Sequence, residues 1–225
     1  MSTDEGMKLK ATLIGSTAVL MWGLLALFTT LTGKIPAFQL AAMSFGIATA
    51  FVVLKWIVRR ENVMAHLRQP VGAWIICTCG LFGYHFFYFM ALKNAPPVEA
   101  GLIAYMWPLL IVVGSALLPG ERLHWWHVAG AVAGLVGAAI LITGGRGLSG
   151  FKSEFAIGYA FAVLCSLTWS SYSILNRRFP HVPTDTVGGF CAATAVLALF
   201  CHLLFEQTVW PADALEWLGV IGLGL

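Results

Sequence analysis

Eight stretches of this chain are apolar almost from end to end, and they decide what it can become. They run over residues 11–31, 38–58, 71–92, 98–118, 125–142, 155–175, 186–205 and 215–225. A bilayer core takes about 20 apolar residues of helix, and seven of the eight are close to that length. A segment in lipid must satisfy its own backbone polar groups, so it becomes a helix or part of a closed barrel. Runs this long and unbroken read as helices, since barrel strands are shorter and alternate. Composition agrees. Only 10% of the residues are charged, against roughly 25% in a soluble domain, and the mean hydropathy is +0.84. The fold class expected is all-α integral membrane. The first ten residues are polar and the first run is too long for a signal-peptide core, so no cleavable leader is expected. The small net charge of +3 lies in short clusters, which gives nucleic acid no basic face to bind.

Loop charge sets the orientation. With the N-terminus inside, the cytoplasmic segments hold Lys8, Lys10, Lys55, Arg59, Arg60, Arg68, Arg122, Arg177 and Arg178. The other side holds Lys34, Lys93, Arg146 and Lys152. This nine-to-four split predicts a cytoplasmic N-terminus. The loops are short, so neighbouring helices must pack side by side. The longest break, TGGRGLSGFKSE, reads as a linker between two halves, 8–143 and 155–225, with 144–154 joining them. Trp22 and Pro36 stand fourteen residues apart, as do Trp169 and Pro183. If the first half has five helices, the second enters the membrane from the opposite face. That is the inverted repeat of many secondary transporters, whose site lies at the repeat interface. The last run stops at about half a span without a polar end, so the helical pattern is expected to continue past residue 225.

The segment APPVEAGLIAYMWPLLIVVGSALLPGER, residues 95–122, is the most informative one. Pro108 lies inside it. A proline there removes one helical hydrogen bond and clashes with the carbonyl four residues back, that of Ala104. The segment is expected to kink beside a water-filled cavity, with Pro108 as a hinge. Tyr105 and Trp107 flank the kink. On a straight helix they would point to nearly opposite sides, so they share a cavity only if Pro108 bends the helix or the cavity is wide. The third run carries YHFFYF, with Tyr84 and Tyr88 on one face and His85 one position round. An ionisable group inside a span is a functional candidate. His85 reads as lining, gating or proton-coupling, against a neutral histidine bonded to a neighbouring helix. Glu99 falls in the first turn after Pro96-Pro97, where a carboxylate suits the helix dipole as a cap.

The remaining features read as structure. Five cysteines, Cys77, Cys79, Cys165, Cys191 and Cys201, all lie in apolar runs and are expected to be small core residues. Cys77 and Cys79 diverge by about 200° on a helix, which argues against a shared metal. Trp125, Trp126, Trp210 and Trp217 sit near run ends and fit an interfacial belt, and His66, His124, His127, His181 and His202 are also placed at or near ends. Gly130 and Gly134 make a G-x-x-x-G, expected to serve close helix packing inside the molecule, with a dimer seam as the alternative. The G-L-S-G at 147–150 lies in the polar linker, away from any span. The chain has no H-E-x-x-H, no phosphate-binding glycine loop and no acidic pair deep in a span. Neither catalytic residues, metal ligands nor a cofactor are expected, and any transport must draw on gradients.

Three segments, KATLIG (10–15), VEAGLIAYMWP (98–108) and FAVLCSLTWSSYSILNRRF (161–179), resemble bacterial amino acid exporters of the EamA-type group in the drug/metabolite transporter superfamily. The resemblance is sharpest in Glu99, Gly101, Tyr105, Trp107 and Pro108. It implies ten helices in two inverted five-helix repeats, a basket around a central cavity, of which about eight are present here. It implies export of aromatic and other neutral amino acids from the bacterial cytoplasm, across the inner membrane, by alternating access. Carried onto this chain, it makes Tyr84, His85, Tyr88, Tyr105, Trp107 and Trp169 the substrate-binding set. The expected partners are amino acids and the lipid bilayer, with the protein a monomer. A broad metabolite or drug exporter of the same superfamily is the alternative. A lipid-modifying membrane enzyme is a second one, for which the spans supply no nucleophile–base pair.

Overall fold

A computed structural model of the chain describes residues 12–13, 15–17, 20, 24, 27–116, 118, 124–143 and 152–225. Every regular element among them is helical. Residues 27–31 close the first helical run. There follow α1 (Ala37–Val58), the short α2 (Val63–Leu67), α3 (Val71–Asn94), α4 (Pro97–Ala104), α5 (Trp107–Ser115), α6 (Trp125–Thr143), α7 (Ala156–Leu175), α8 (Val187–Phe205) and α9 (Ala214–Gly224). Five stretches are long and apolar enough to cross a membrane: Ala37–Val58, Val71–Asn94, Pro97–Ser115, Ser153–Arg178 and Thr184–Phe205. Trp22 and the 144–151 part of the linker, with its G-L-S-G, lie outside the described residues.

Prolines set several of the starts. Pro36 and Pro70 stand as N-caps of α1 and α3, and Pro97 opens α4. A proline has no N–H to waste there and its φ suits the first turn. The helices are apolar all round. Phe200, Leu203, Leu204 and Phe205 of α8 are all exposed, as a lipid-facing surface requires.

The main contacts are antiparallel. Along α3 and α7, Gly72 meets Phe179, Gly80 meets Tyr172, Gly83 meets Thr168, and the end of α3 at Asn94 meets Gly158. Numbers rise on one helix as they fall on the other. In the same sense Gly188 of α8 sits against Val52 of α1, while Glu206 at the far end of α8 bonds Phe38 at the start of α1. Gly219 and Gly222 of α9 lie against Phe28 and Leu31 of the first run.

Two of the expectations need correction. Gly130 and Gly134 do not seat a neighbouring helix: a β-carbon at either would meet nothing within 4 Å. The glycines used for close approach lie on α3, α5, α7, α8 and α9 instead, because those are the helices that bury one another. Gly134→Ala should therefore keep or slightly raise stability, by at most about 1 kcal/mol through helix propensity, read as the melting temperature of the purified protein. Cys79 is exposed, whereas Cys77, Cys165, Cys191 and Cys201 are buried. Two residues of separation turn Cys79 away from the packed face that holds Cys77.

Candidate functional site

Two small clusters bracket the middle of the α3–α7 pair. Ala73, Cys77 and Phe190, with Tyr172 and Phe179 against them, pack toward one end. Ala91, Ala95, Ala100 and Ala162, with Tyr159 and Phe161, pack toward the other. Between them lie large rings from three helices.

Trp169 of α7 is the hub. Its ring centroid lies 5.0 Å from Tyr84 of α3, 6.4 Å from Trp107 of α5 and 5.3 Å from Tyr172 on its own helix. Tyr84 and Tyr88 stack one turn apart at 6.0 Å, with ring planes 2° from parallel. This follows from their i, i+4 spacing. Aromatic pairs at such distances add attraction beyond burial, so the rings hold one another in place.

The helix is interrupted beside Pro108. The span divides into α4 and α5, with Tyr105 and Met106 in a turn between them. Pro108 falls in the first turn of α5, where its missing N–H costs nothing. Trp107 contacts Trp169, while Tyr105 is half exposed. Ser170 lies at the join, its hydroxyl 2.6 Å from the Ser166 carbonyl and 3.1 Å from the Trp107 carbonyl, with one proton to donate between them.

His85 stands at the edge. Its Nδ1 lies 2.8 Å from the Leu81 carbonyl one turn back, a donor's position, and its ring meets Phe45 of α1 edge-on at 5.1 Å. It touches Tyr84 at 5.3 Å, so it bridges the cluster to α1. Five of the six candidates are partly buried and Tyr105 is 50% exposed. Glu99 makes no cap to its own helix; its carboxylate accepts the Tyr159 hydroxyl of α7 at 3.0 Å.

Sequence reasoning missed Phe45, Tyr172 and Ser170. Tyr172 was within reach, three residues after Trp169 and so on its face. A cavity of about 340 Å³ opens between α1 and α8, away from this cluster, lined by Met43, Leu199 and Leu203 with Gln39, His202 and Thr208 at its polar end. No predicted site residue lines it. His202, expected to be an unremarkable terminal histidine, is buried there and bonded through both ring nitrogens, to Glu206 and Thr208.

Comparison with known proteins gives this arrangement a place. Residues 9–143 match the model of the EamA-like transporter family. The chain is 53% identical over 215 residues to the aromatic amino acid exporter YddG of Ancylobacter novellus, covering 96% of this chain and 74% of that protein. It is 25% identical to the aromatic amino acid exporter YddG of Salmonella typhimurium, covering 86% of this chain and 67% of the relative. It is also 25% identical to the pseudopaline exporter CntI of Pseudomonas aeruginosa, with 89% and 68% covered. A solved crystal structure superposes with a TM-score of 0.87 at 52% identity, covering 96% of this chain and 74% of the other. These relatives carry transporter names, not enzyme names. With its several membrane-crossing helices, the chain is a multi-pass membrane protein and belongs to the EamA-like transporter family.

Proposed function

We propose that this protein exports aromatic and other neutral amino acids from the bacterial cytoplasm, with Tyr84, His85, Tyr88, Tyr105, Trp107 and Trp169 forming the substrate site. The observation that carries the reading is the convergence of Tyr84, Trp107 and Trp169, from three separate helices, beside a broken span. Ring faces offer flat apolar surface to an aromatic side chain. They also attract an ammonium group, at about 0.5–2 kcal/mol per contact, and phenol hydroxyls can donate to a carboxylate. The rings bring no fixed charge of their own, which suits a zwitterion with no net charge. The 53% identity to an aromatic amino acid exporter supports the same substrate class.

The transport cycle proposed is alternating access between two inverted repeats in the inner membrane, with the N-terminus cytoplasmic and the protein a monomer. Three antiparallel pairs support the inversion: the first run with α9, α1 with α8, and α3 with α7. If the first three spans are equivalent to the sixth, seventh and eighth, one two-fold axis turns these pairs into one another. A parallel repeat would have made α1 and α8 parallel.

The test is flux of a panel of labelled amino acids from proteoliposomes, with and without a pH gradient. Saturable flux of tryptophan, phenylalanine and smaller neutral amino acids is expected. The CntI relative, named for pseudopaline export, points to the competing outcome, in which amino acids fail and another metabolite is carried.

A further inference from the structure

We propose that Glu206 is a positioning residue of the transport cycle, a detachable cap that closes one end of the α1–α8 pair while Lys55–Asp185 closes the other. This rests on the alternating-access reading, and the observation behind it is separate from the aromatic site.

Glu206 ends α8 and its side chain is 4% exposed. A carboxylate buried so deeply is tolerated only where its hydrogen bonds are made. Most of its partners come from other helices. The first amides of α1 have no acceptor within their own helix, and the N-cap residue Pro36 supplies none from its side chain. Glu206 supplies it: Phe38 N lies 3.1 Å from each carboxylate oxygen, and Gln39 N lies 3.0 Å from one. His202 of α8 adds a ring nitrogen at 3.1 Å, and Lys93, in the last turn of α3, stands 3.8 Å away. One carboxylate thus joins the start of α1 to the ends of α3 and α8.

The opposite end of the pair has its counterpart. Lys55, in the last turn of α1, bonds Asp185, in the turn that leads into α8, at 2.5 Å. The positions correspond in register. Phe38 and Asp185 each stand two residues after the proline that opens their segment, Pro36 or Pro183, and Lys55 and His202 each stand nineteen after it. Each end therefore joins the entry of one helix to the exit of its counterpart. They differ in burial. Lys55 and Asp185 are 30% and 36% exposed, and water competes for such a pair. The Glu206 cap is dry and capped amides are lost when it opens. Access from either side requires one tie to part while the other holds.

Hydrogen exchange at the Phe38 and Gln39 amides reads the cap directly, with the protein in lipid nanodiscs. Glu206→Gln removes the charge and one acceptor, so exchange there should quicken by about tenfold through local opening. Asp185→Asn loosens the far tie, biasing the pair the other way, and should slow exchange at Phe38 and Gln39 by about threefold. A merely structural role for Glu206 predicts the first change and not the second. Unchanged exchange in Glu206→Gln, or exchange that fails to slow in Asp185→Asn, overturns the proposal. If Glu206→Gln does not fold, Glu206→Asp keeps the charge on a shorter arm and carries the same expectation. The exchange needs no substrate, so it can succeed where the amino acid panel fails, and the reverse.

Discussion

Trp169→Ala should lower the initial rate of tryptophan efflux from proteoliposomes by at least about tenfold, an effect on the scale of one lost aromatic contact of about 1.4 kcal/mol or more. Trp169 meets Tyr84 of α3 and Trp107 of α5 as well as Tyr172. Removing it takes away a wall of the proposed site and lets Tyr84 and Trp107 relax toward the gap. Trp169→Phe keeps a flat ring and should retain a substantial part of the flux. Fluorescence-detected size exclusion separates a site defect from a folding one, since Trp169 is only partly buried and its loss should cost less than the ~3–5 kcal/mol of a fully buried tryptophan. Trp107→Ala should have a similar effect by removing the α5 side of the same contact. Full flux in both variants would take the two indoles out of the site.

Much of this arrangement was written in spacing. The 38–58 and 71–92 runs became Ala37–Val58 and Val71–Asn94, because a span has a length imposed by the bilayer. Tyr84 and Tyr88 share a face by helical arithmetic, and Pro108 announces an interruption by its missing N–H. What spacing does not contain is which helices meet. The G-x-x-x-G at 130–134 satisfies the rule for close packing and yet faces open space, while glycines outside any such motif, such as Gly158 and Gly188, carry the tight contacts. Their role depends on a partner far along the chain. Glu206 was illegible for the same reason. It reads as a polar residue at a run's end, and its function as a cap belongs to amides 168 residues earlier. Its i, i+4 relation to His202 was visible, but nothing in the order of residues says that both are dry.

Gly158→Ala should be among the most destabilising single-methyl changes in the protein, by about 1–3 kcal/mol as for other overpacked sites. A β-carbon at Gly158 would stand 2.5 Å from the Ala95 β-carbon and 2.6 Å from the carbonyl carbon and oxygen of Asn94. None of these atoms can swing aside, as the end of a long side chain could. The helix must move, and alanine's better helix propensity, up to about 1 kcal/mol, recovers only part of the cost. The displacement falls on a sensitive place. Ala95 precedes Pro96 and the start of α4, which Glu99 ties to Tyr159, one residue from Gly158. Pushing α7 from this corner shifts α4, and with it the turn that aims Tyr105 and Trp107. Thermal unfolding in detergent should show the loss beside an unchanged Gly134→Ala control, and tryptophan flux should fall with it. A melting temperature equal to wild type would mean the corner opens freely, and the α3–α7 contact would then be no fixed frame for the aromatic cluster.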